Sequence, residues 1–455
     1  MEADVVVIGG GAGGLAAVRE ARRRDASALL ISNAAPGGDC TFFGCVPSKA
    51  LIAAVAADVG LEEAIARANK ASAHIGNTES PAVLEQEAIG FVSGDAELIS
   101  ANEVQVKNKR ILAKKGIVLA VGSEPRVFPV AGLPEDRLLT TNTFWDLKVA
   151  PKSICIVGAG PIGTELGLAM AKTGVKVSIV DLAERVLPAV EQEASQIVYE
   201  ALVGAGVDIY SGESLQSARL SGDELELETS AFKRINAEYV LMAAGRKPHR
   251  IESAESLGLK TTNSGHIIVD DKMHTSIKDV FAAGDCTPNL ALTTSANWMG
   301  RVAGANALGK KETYTNNIVP AVTFTTPEVA SIGISEAEAA KTYRDAMVAY
   351  MPLTEHDRAI ASGNTTGYIK LISAERKFLK NAGGGQLVGA TVVAPTAGEL
   401  ISELALVMQT KAFVGRIAQT NHAYPSWSYG LAKAAAQFFT TIEGRAARPA
   451  DPNAK

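Results

Sequence analysis

The sequence has 455 residues, enough for roughly two to four domains. Apolar residues make up 47% and charged residues 20%, an ordinary globular balance, and the net charge of −5 offers no basic surface for nucleic acid or an anionic membrane. Four cysteines do not make a disulfide scaffold and fit a reducing, cytoplasmic compartment, or an organelle after removal of a transit peptide; Met1-Glu2-Ala3-Asp4 lacks the basic-then-apolar pattern of a secretory signal, and no uncharged apolar run reaches the length of a membrane span.

Val5 to Ile8 is an apolar run that leads into Gly9, Gly11 and Gly14. Leu15 to Arg24 then reads as a helix and Ala28 to Ile31 as a second strand. Glycines between a strand and a helix allow a tight turn and close approach of backbone to a diphosphate at the helix N-terminus. This context makes the triplet a dinucleotide fingerprint rather than a merely flexible loop. The second strand ends in Ser32, where an acid is expected to hold ribose hydroxyls. Ser32 keeps one hydrogen bond and brings no charge.

The next stretch, Gly37-Gly38-Asp39-Cys40-Thr41-Phe42-Phe43-Gly44-Cys45-Val46-Pro47-Ser48-Lys49, places two cysteines five positions apart. In an ideal helix their Cα atoms would lie about 8.7 Å apart. A disulfide tolerates at most about 7 Å, so a bridge needs a distorted turn. Gly44 allows unusual backbone angles there, and Pro47 suits the first turn of a following helix. Cys45 then sits near a helix N-terminus, which favours a thiolate. On spacing alone the pair reads as a redox couple, as two small buried hydrophobes, or as half of a metal site. No second ligand pair accompanies it, and no metal site is expected.

This stretch resembles the redox-active motif of the class I pyridine nucleotide-disulfide oxidoreductase family, which includes lipoamide dehydrogenase, glutathione reductase and mercuric reductase. The resemblance implies FAD and a nicotinamide cofactor, a Cys40–Cys45 disulfide, and a homodimer. Cys45 is then the flavin-facing thiol and Cys40 the interchange thiol that meets substrate. Lys49 matches the lysine beside the flavin, and Glu165 its partner from the second nucleotide-binding domain. Asp39 departs from the family's usual Thr. An anion near a diphosphate is unfavourable unless it points away or caps a helix.

Further along, Ala50 to Ala71 has a helical pattern and Ile89 to Val106 suggests short strands. Ile117 to Pro125, including Gly122, resembles the strand that closes the family's first FAD segment. Ile154 to Val157 followed by Gly158, Gly160 and Gly163 is a second fingerprint, roughly 150 residues after the first, and implies a second dinucleotide. Cys155 is a core residue in this reading. Lys176 to Val180 ends in Asp181, a carboxylate that accepts from a free ribose and repels a 2′-phosphate, so NADH is expected over NADPH. Arg185, four residues on, dilutes that preference. Tyr239 to Pro248, with Gly245 and Arg246, resembles the end of this domain. Asp279 to Asp285 resembles the return to the FAD domain, where Asp285 meets the ribityl chain and Gly38 and Gly122 line the cofactor. Cys286 has no clear partner, and Ala291 to Leu308 reads as a helix.

Val319 to Gly333 resembles the opening of the dimerisation domain. Tyr368 to Leu371 and Leu387 to Val393 read as strands, Gly398 to Thr410 as an amphipathic helix, and Arg445 to Lys455 as a disordered tail. The expected architecture is α/β: two Rossmann-like three-layer dinucleotide-binding domains and an α+β C-terminal dimerisation domain. Residues 1–149 and 273–317 form the FAD domain, 150–272 the NAD(P)H domain, 318–443 the dimerisation domain and 444–455 the tail.

Small-disulfide reductases of the family carry a His, and a Glu five residues later, near the C-terminus. Here Tyr424 stands in the His place and Tyr429 in the Glu place. A phenol is a poor proton acceptor at neutral pH. His422, two residues away, is expected to pack or bond backbone rather than replace the base. Mercuric reductase also has Tyr there, but the last cysteine here is Cys286, so its C-terminal cysteine pair has no counterpart. The expected function is electron transfer from NADH through FAD to Cys40–Cys45 and on to a disulfide or thiol-bound substrate. A metal-ion reductase, an NADH diaphorase acting on quinones, and a non-catalytic flavoprotein redox sensor are the alternatives.

Overall fold

The computed structural model describes residues 1–376 and 380–454. It resolves into two compact units. One comprises Met1–Lys152, Ala218–Leu225 and Ala237–Asn316; the other comprises Ser153–Ser217, Glu226–Asn236 and the chain from Asn317 onward.

The first unit is built on β1 (Glu2–Ile8), whose Val5, Val6 and Val7 are fully buried. A strand covered on both faces has no polar alternation, which is why this run is continuously apolar. It leads into α1 (Ala12–Arg23) and β2 (Ala28–Ser32). Then come the short α2 (Gly38–Phe42), α3 (Cys45–Ala56) and α4 (Leu61–Thr78). The single helical stretch expected after Lys49 is thus two helices, with Gly60 capping the second. The sheet continues with β3 (Gly90–Ser93), β4 (Ala96–Ser100), β5 (Glu103–Val106) and β6 (Lys109–Leu119), followed by β7 (Ser123–Pro125).

The strand order is β3-β2-β1-β6-β5-β4, with the late strand Val280–Ala282 added parallel to β6. The β1, β2, β3 and β6 pairings are parallel, and β4 and β5 return antiparallel. On one face α1 packs against the late helix Thr293–Ala307. The two meet at glycines: a Cβ on Gly300 would lie 2.1 Å from the Gly13 carbonyl oxygen.

The run Gly38–Ala56 has 19 residues and is long and apolar enough to cross a membrane by length and composition, though it is not an uncharged run. It is two helices broken at Gly44, and it carries Asp39 and Lys49. A broken backbone leaves N–H and C=O groups that lipid cannot satisfy.

In the second unit Ser153–Val157, Lys176–Asp181 and Asp208–Ser211 pair in parallel beside the helix Pro161–Lys172. Its C-terminal part is a six-stranded sheet ordered Ala321–Thr323, Glu328–Gly333, Gln386–Ala394, Tyr368–Ala374, Met347–Pro352 and Arg448–Pro449. The helix Ala397–Gln409 buries Leu400, Ile401, Leu404 and Met408 against it, an amphipathic face of helical period. Within the stretch expected as a disordered tail, Arg448–Pro449 is an edge strand, and Lys455 lies outside the described residues. Arg448 donates to the buried Glu336 carboxylate, and Asp451 N–H adds a bond of 3.1 Å. A buried carboxylate needs such partners, and they hold the tail in place.

Candidate active site

The first glycine loop is a cradle that side chains would fill. Gly9 has φ +107°, and a Cβ there would sit 2.1 Å from the Ala120 carbonyl oxygen. A Cβ on Gly14 would sit 1.8 Å from the Gly9 oxygen, and one on Gly38 would sit 2.7 Å from Gly11 Cα. Gly38, at the start of α2, therefore closes the loop around Gly11. Gly11 caps α1 without a side-chain hydrogen bond. That leaves helix N–H groups of the kind that bind a diphosphate, so the loop fits FAD.

Ser32 ends β2, is buried, and accepts the Ala34 N–H at 3.3 Å. Gly122 (φ +70°) lies in the loop after β6. Beyond it, Ser123 Oγ donates to Asp285 Oδ2 at 3.0 Å. Cys286 is fully buried and its thiol is pushed up to about 12 by burial, so it takes no part in thiolate chemistry.

The distorted turn between the cysteines is present. After α2, the Phe43 and Gly44 N–H groups both donate to the Asp39 carbonyl, at 2.8 and 2.6 Å. Gly44 adopts φ −113° and ψ −109°, and α3 begins at Cys45. Cys45 is exposed and Cys40 half-buried. The hydrogen bond with Cys45, then burial, pushes the Cys40 thiol well above the ordinary thiol range.

Sequence reading missed Thr293, whose Oγ1 lies 3.3 Å from Cys45 Sγ. It opens the helix Thr293–Ala307, and nothing near either residue in the chain signals a contact across 248 positions. Lys49 lies one turn after Cys45 on α3, and its Nζ donates to Ser48 Oγ at 3.3 Å.

A second missed residue is Arg246. It sits on the strand Arg246–Pro248, which pairs antiparallel with β7. Its guanidinium donates to the Asp39 carboxylate, to Ser123 Oγ at 2.8 Å and to the Ser123 carbonyl at 2.7 Å. Gly245 before it has φ +100° and accepts the Arg126 N–H at 3.0 Å.

In the second unit Gly158 has φ +117°, and a Cβ on Gly163 would sit 1.9 Å from the Gly158 oxygen. Gly160 caps the helix Pro161–Lys172, again without a side-chain bond. The Asp181 carboxylate accepts N–H groups from Ala159 and from Ala183, at 2.5 and 2.7 Å. This cradle fits a second dinucleotide on the same grounds as the first. Gly245, expected with these glycines, lies in the first unit.

Arg185 is committed elsewhere, donating to the carbonyls of Leu187, Pro188 and Val190 at 3.3, 2.8 and 2.8 Å. Glu165 is buried on the helix Pro161–Lys172 and accepts the Phe324 N–H at 2.8 Å. Cys155 is fully buried, and burial pushes its thiol up to about 12.

Tyr424 is 69% exposed and meets Tyr429 edge-to-face, ring centroids 5.5 Å apart. Its hydroxyl bonds the Asp357 carboxylate, which raises the phenol above its ordinary range. His422 Nδ1 lies 3.0 Å from the Thr420 carbonyl, and Nε2 lies 3.1 Å from Glu403. Both ring nitrogens are engaged, as expected of a packing residue. Among the described residues no group of three or more His, Cys, Asp or Glu is placed to hold a metal ion.

Residues 3–300 match the pyridine nucleotide-disulphide oxidoreductase family, and residues 319–435 match its dimerisation domain. A dihydrolipoyl dehydrogenase of Geobacillus stearothermophilus is 31% identical over 94% of each chain. A mercuric reductase of Bacillus cereus is 29% identical over 96% of this chain and 71% of its own. Among solved structures, LpdA from Mycobacterium tuberculosis superposes with a TM-score of 0.88 at 26% identity, over 96% of this chain and 100% of that one.

Proposed function

The chain belongs to the pyridine nucleotide-disulphide oxidoreductase family, and from that premise we propose that it carries electrons from NADH through FAD to the Cys40–Cys45 pair and on to a disulfide or thiol-bound substrate whose release needs no proton relay. FAD, when bound, supplies the two-electron transfer between nicotinamide and sulfur. The first glycine cradle with Gly38, Gly122 and Asp285 holds it, and the second cradle with Asp181 holds the nicotinamide cofactor. Residues 1–149 and 273–317 form the FAD part of this reading, 150–272 the nicotinamide part, and 318–443 the part that pairs subunits. The dimerisation domain supports a homodimer.

The sulfur chemistry balances without a base. Cys40 releases its proton to solvent and attacks a substrate disulfide; one S–S bond breaks and a first thiolate leaves. Cys45 then releases its proton and attacks Cys40, the Cys40–Cys45 bond closes and a second thiolate leaves, the two leaving thiolates taking up two protons from solvent. The observation that carries this reading is Tyr424. A phenol raised by Asp357 stays protonated and donates a hydrogen bond, and it does not accept the Cys40 proton.

A soft metal ion held between two thiolates is the second reading. It too needs no proton returned, and one relative is named mercuric reductase. Asp181 beside a fully engaged Arg185 favours NADH over NADPH. The cysteine usage supports a cytoplasmic setting.

Anaerobic NADH oxidation against lipoamide, glutathione disulfide, mercuric ion and a quinone tests the assignment. Turnover of a disulfide or thiol-bound metal that disappears in Cys40→Ser is expected. Quinone reduction alone, undiminished in Cys40→Ser, would overturn it.

A further inference from the structure

We propose that Asp39 is an internal anion that competes with the FAD diphosphate for Arg246, and so sets how tightly the protein holds its flavin. This rests on the FAD site proposed above. Asp39 follows Gly38, whose backbone packs directly on Gly11 of the first glycine loop. A carboxylate is thereby anchored one residue from the cradle that receives two phosphates, where a negative charge opposes binding. The side chain bonds the Arg246 guanidinium.

Arg246 is held in place by both the hydroxyl and the carbonyl of Ser123, and its Nε lies 4.0 Å from Asp285 Oδ2. One cation thus faces two carboxylates, Asp39 and Asp285, and the group carries a net charge of −1. The guanidinium is 21% exposed and Asp39 is 42% exposed, so solvent screens the pair only in part. Removing the Asp39 charge frees one positive charge beside the cradle. Removing the Arg246 charge leaves two carboxylates facing the incoming diphosphate. The two substitutions therefore act in opposite directions, which a purely structural ion pair does not produce. An ion pair that only fastens α2 to the strand Arg246–Pro248 loosens the cradle whichever partner is lost.

The test is FAD titration of deflavinated dimer, read by quenching of flavin fluorescence, in wild type, Asp39→Asn, Arg246→Gln and the double variant. Asp39→Asn is expected to tighten FAD by about fivefold at low salt, with the gain shrinking as salt rises. It also makes inorganic pyrophosphate a stronger competitor. Arg246→Gln is expected to weaken FAD by roughly tenfold or more, and the double variant to return most of the way to wild type. Arg246→Lys, which keeps the charge in a smaller network, serves if Arg246→Gln does not fold; it is expected to bind FAD within a few-fold of wild type. FAD binding that weakens or stays unchanged in folded Asp39→Asn overturns the inference. Wild-type protein that takes up no FAD overturns the underlying site assignment instead.

Discussion

His422 Nε2 lies 3.1 Å from the Glu403 carboxylate while Nδ1 faces the Thr420 carbonyl, so the histidine nearest the expected base position is already fully bonded. Its side chain is 4% exposed. A relay base needs one nitrogen free to face the thiol, and this ring has none. His422→Gln is expected to lower stability by about 1–2 kcal/mol, the scale of one or two lost buried hydrogen bonds. The pH dependence of turnover should not move. A hundredfold loss of kcat with an unchanged melting temperature would show that His422 is the relay after all.

Tyr424 is the complementary case. Its hydroxyl is bonded to Asp357 and raised, so it stays neutral through the physiological range. Tyr424→Phe should change turnover little. Tyr424→His puts a group of pKa near 6.5 in its place, and general-base help is worth roughly a hundredfold or more when geometry allows. Faster disulfide turnover, with a new inflection near that pH, is the expected outcome. Steady-state rates between pH 5.5 and 9 measure both.

Asp181 and Arg185 make a prediction about the nicotinamide. Asp181→Asn keeps an acceptor oxygen but loses the charge that repels a 2′-phosphate. The ratio of kcat/KM for NADH to that for NADPH should fall by roughly tenfold, the scale of one charge-assisted hydrogen bond. Arg185→Ala should leave that ratio almost unchanged, because its guanidinium is engaged with three carbonyls. A ratio that moves with Arg185 and not with Asp181 would reverse the assignment.

The four thiols should separate by alkylation. Cys155 and Cys286 are buried and pushed up to about 12. At pH 8 only about one in ten thousand of each is thiolate, and that fraction is covered by protein. In reduced native protein iodoacetamide should label Cys45 first, because Cys45 is exposed while Cys40 is half-buried and its thiol is raised by its bond to Cys45 and by burial. Cys155 and Cys286 should react only after unfolding. Peptide mapping by mass spectrometry reads the order.

Much of the fold was legible because its signals are local. A buried parallel strand must be apolar along its length, and a glycine loop must precede the helix it caps. Val5–Ile8 with Gly9, Gly11 and Gly14, and Ile154–Val157 with Gly158, Gly160 and Gly163, each state this within a dozen residues. The break between α3 and α4 was missed because alanine-rich sequence suits helix on both sides of it. Lys370 lies within the Tyr368 to Leu371 strand, and nothing around it in the chain marks its partners. In the structure it is 6% exposed and reaches Glu191 at 3.2 Å and Glu336 at 3.5 Å.

The amino-acid sequence by itself determined that two glycine cradles of the dinucleotide kind follow apolar strands and that two cysteines stand five positions apart, since steric freedom at glycine and residue spacing are properties of short segments. Tertiary structure decided which groups face those segments. Thr293 beside Cys45, Arg246 on Asp39, Glu403 on His422 and Glu336 under the tail strand are contacts between residues distant in the chain. A hydrogen bond or ion pair depends on distance in space, and only the folded backbone sets that distance.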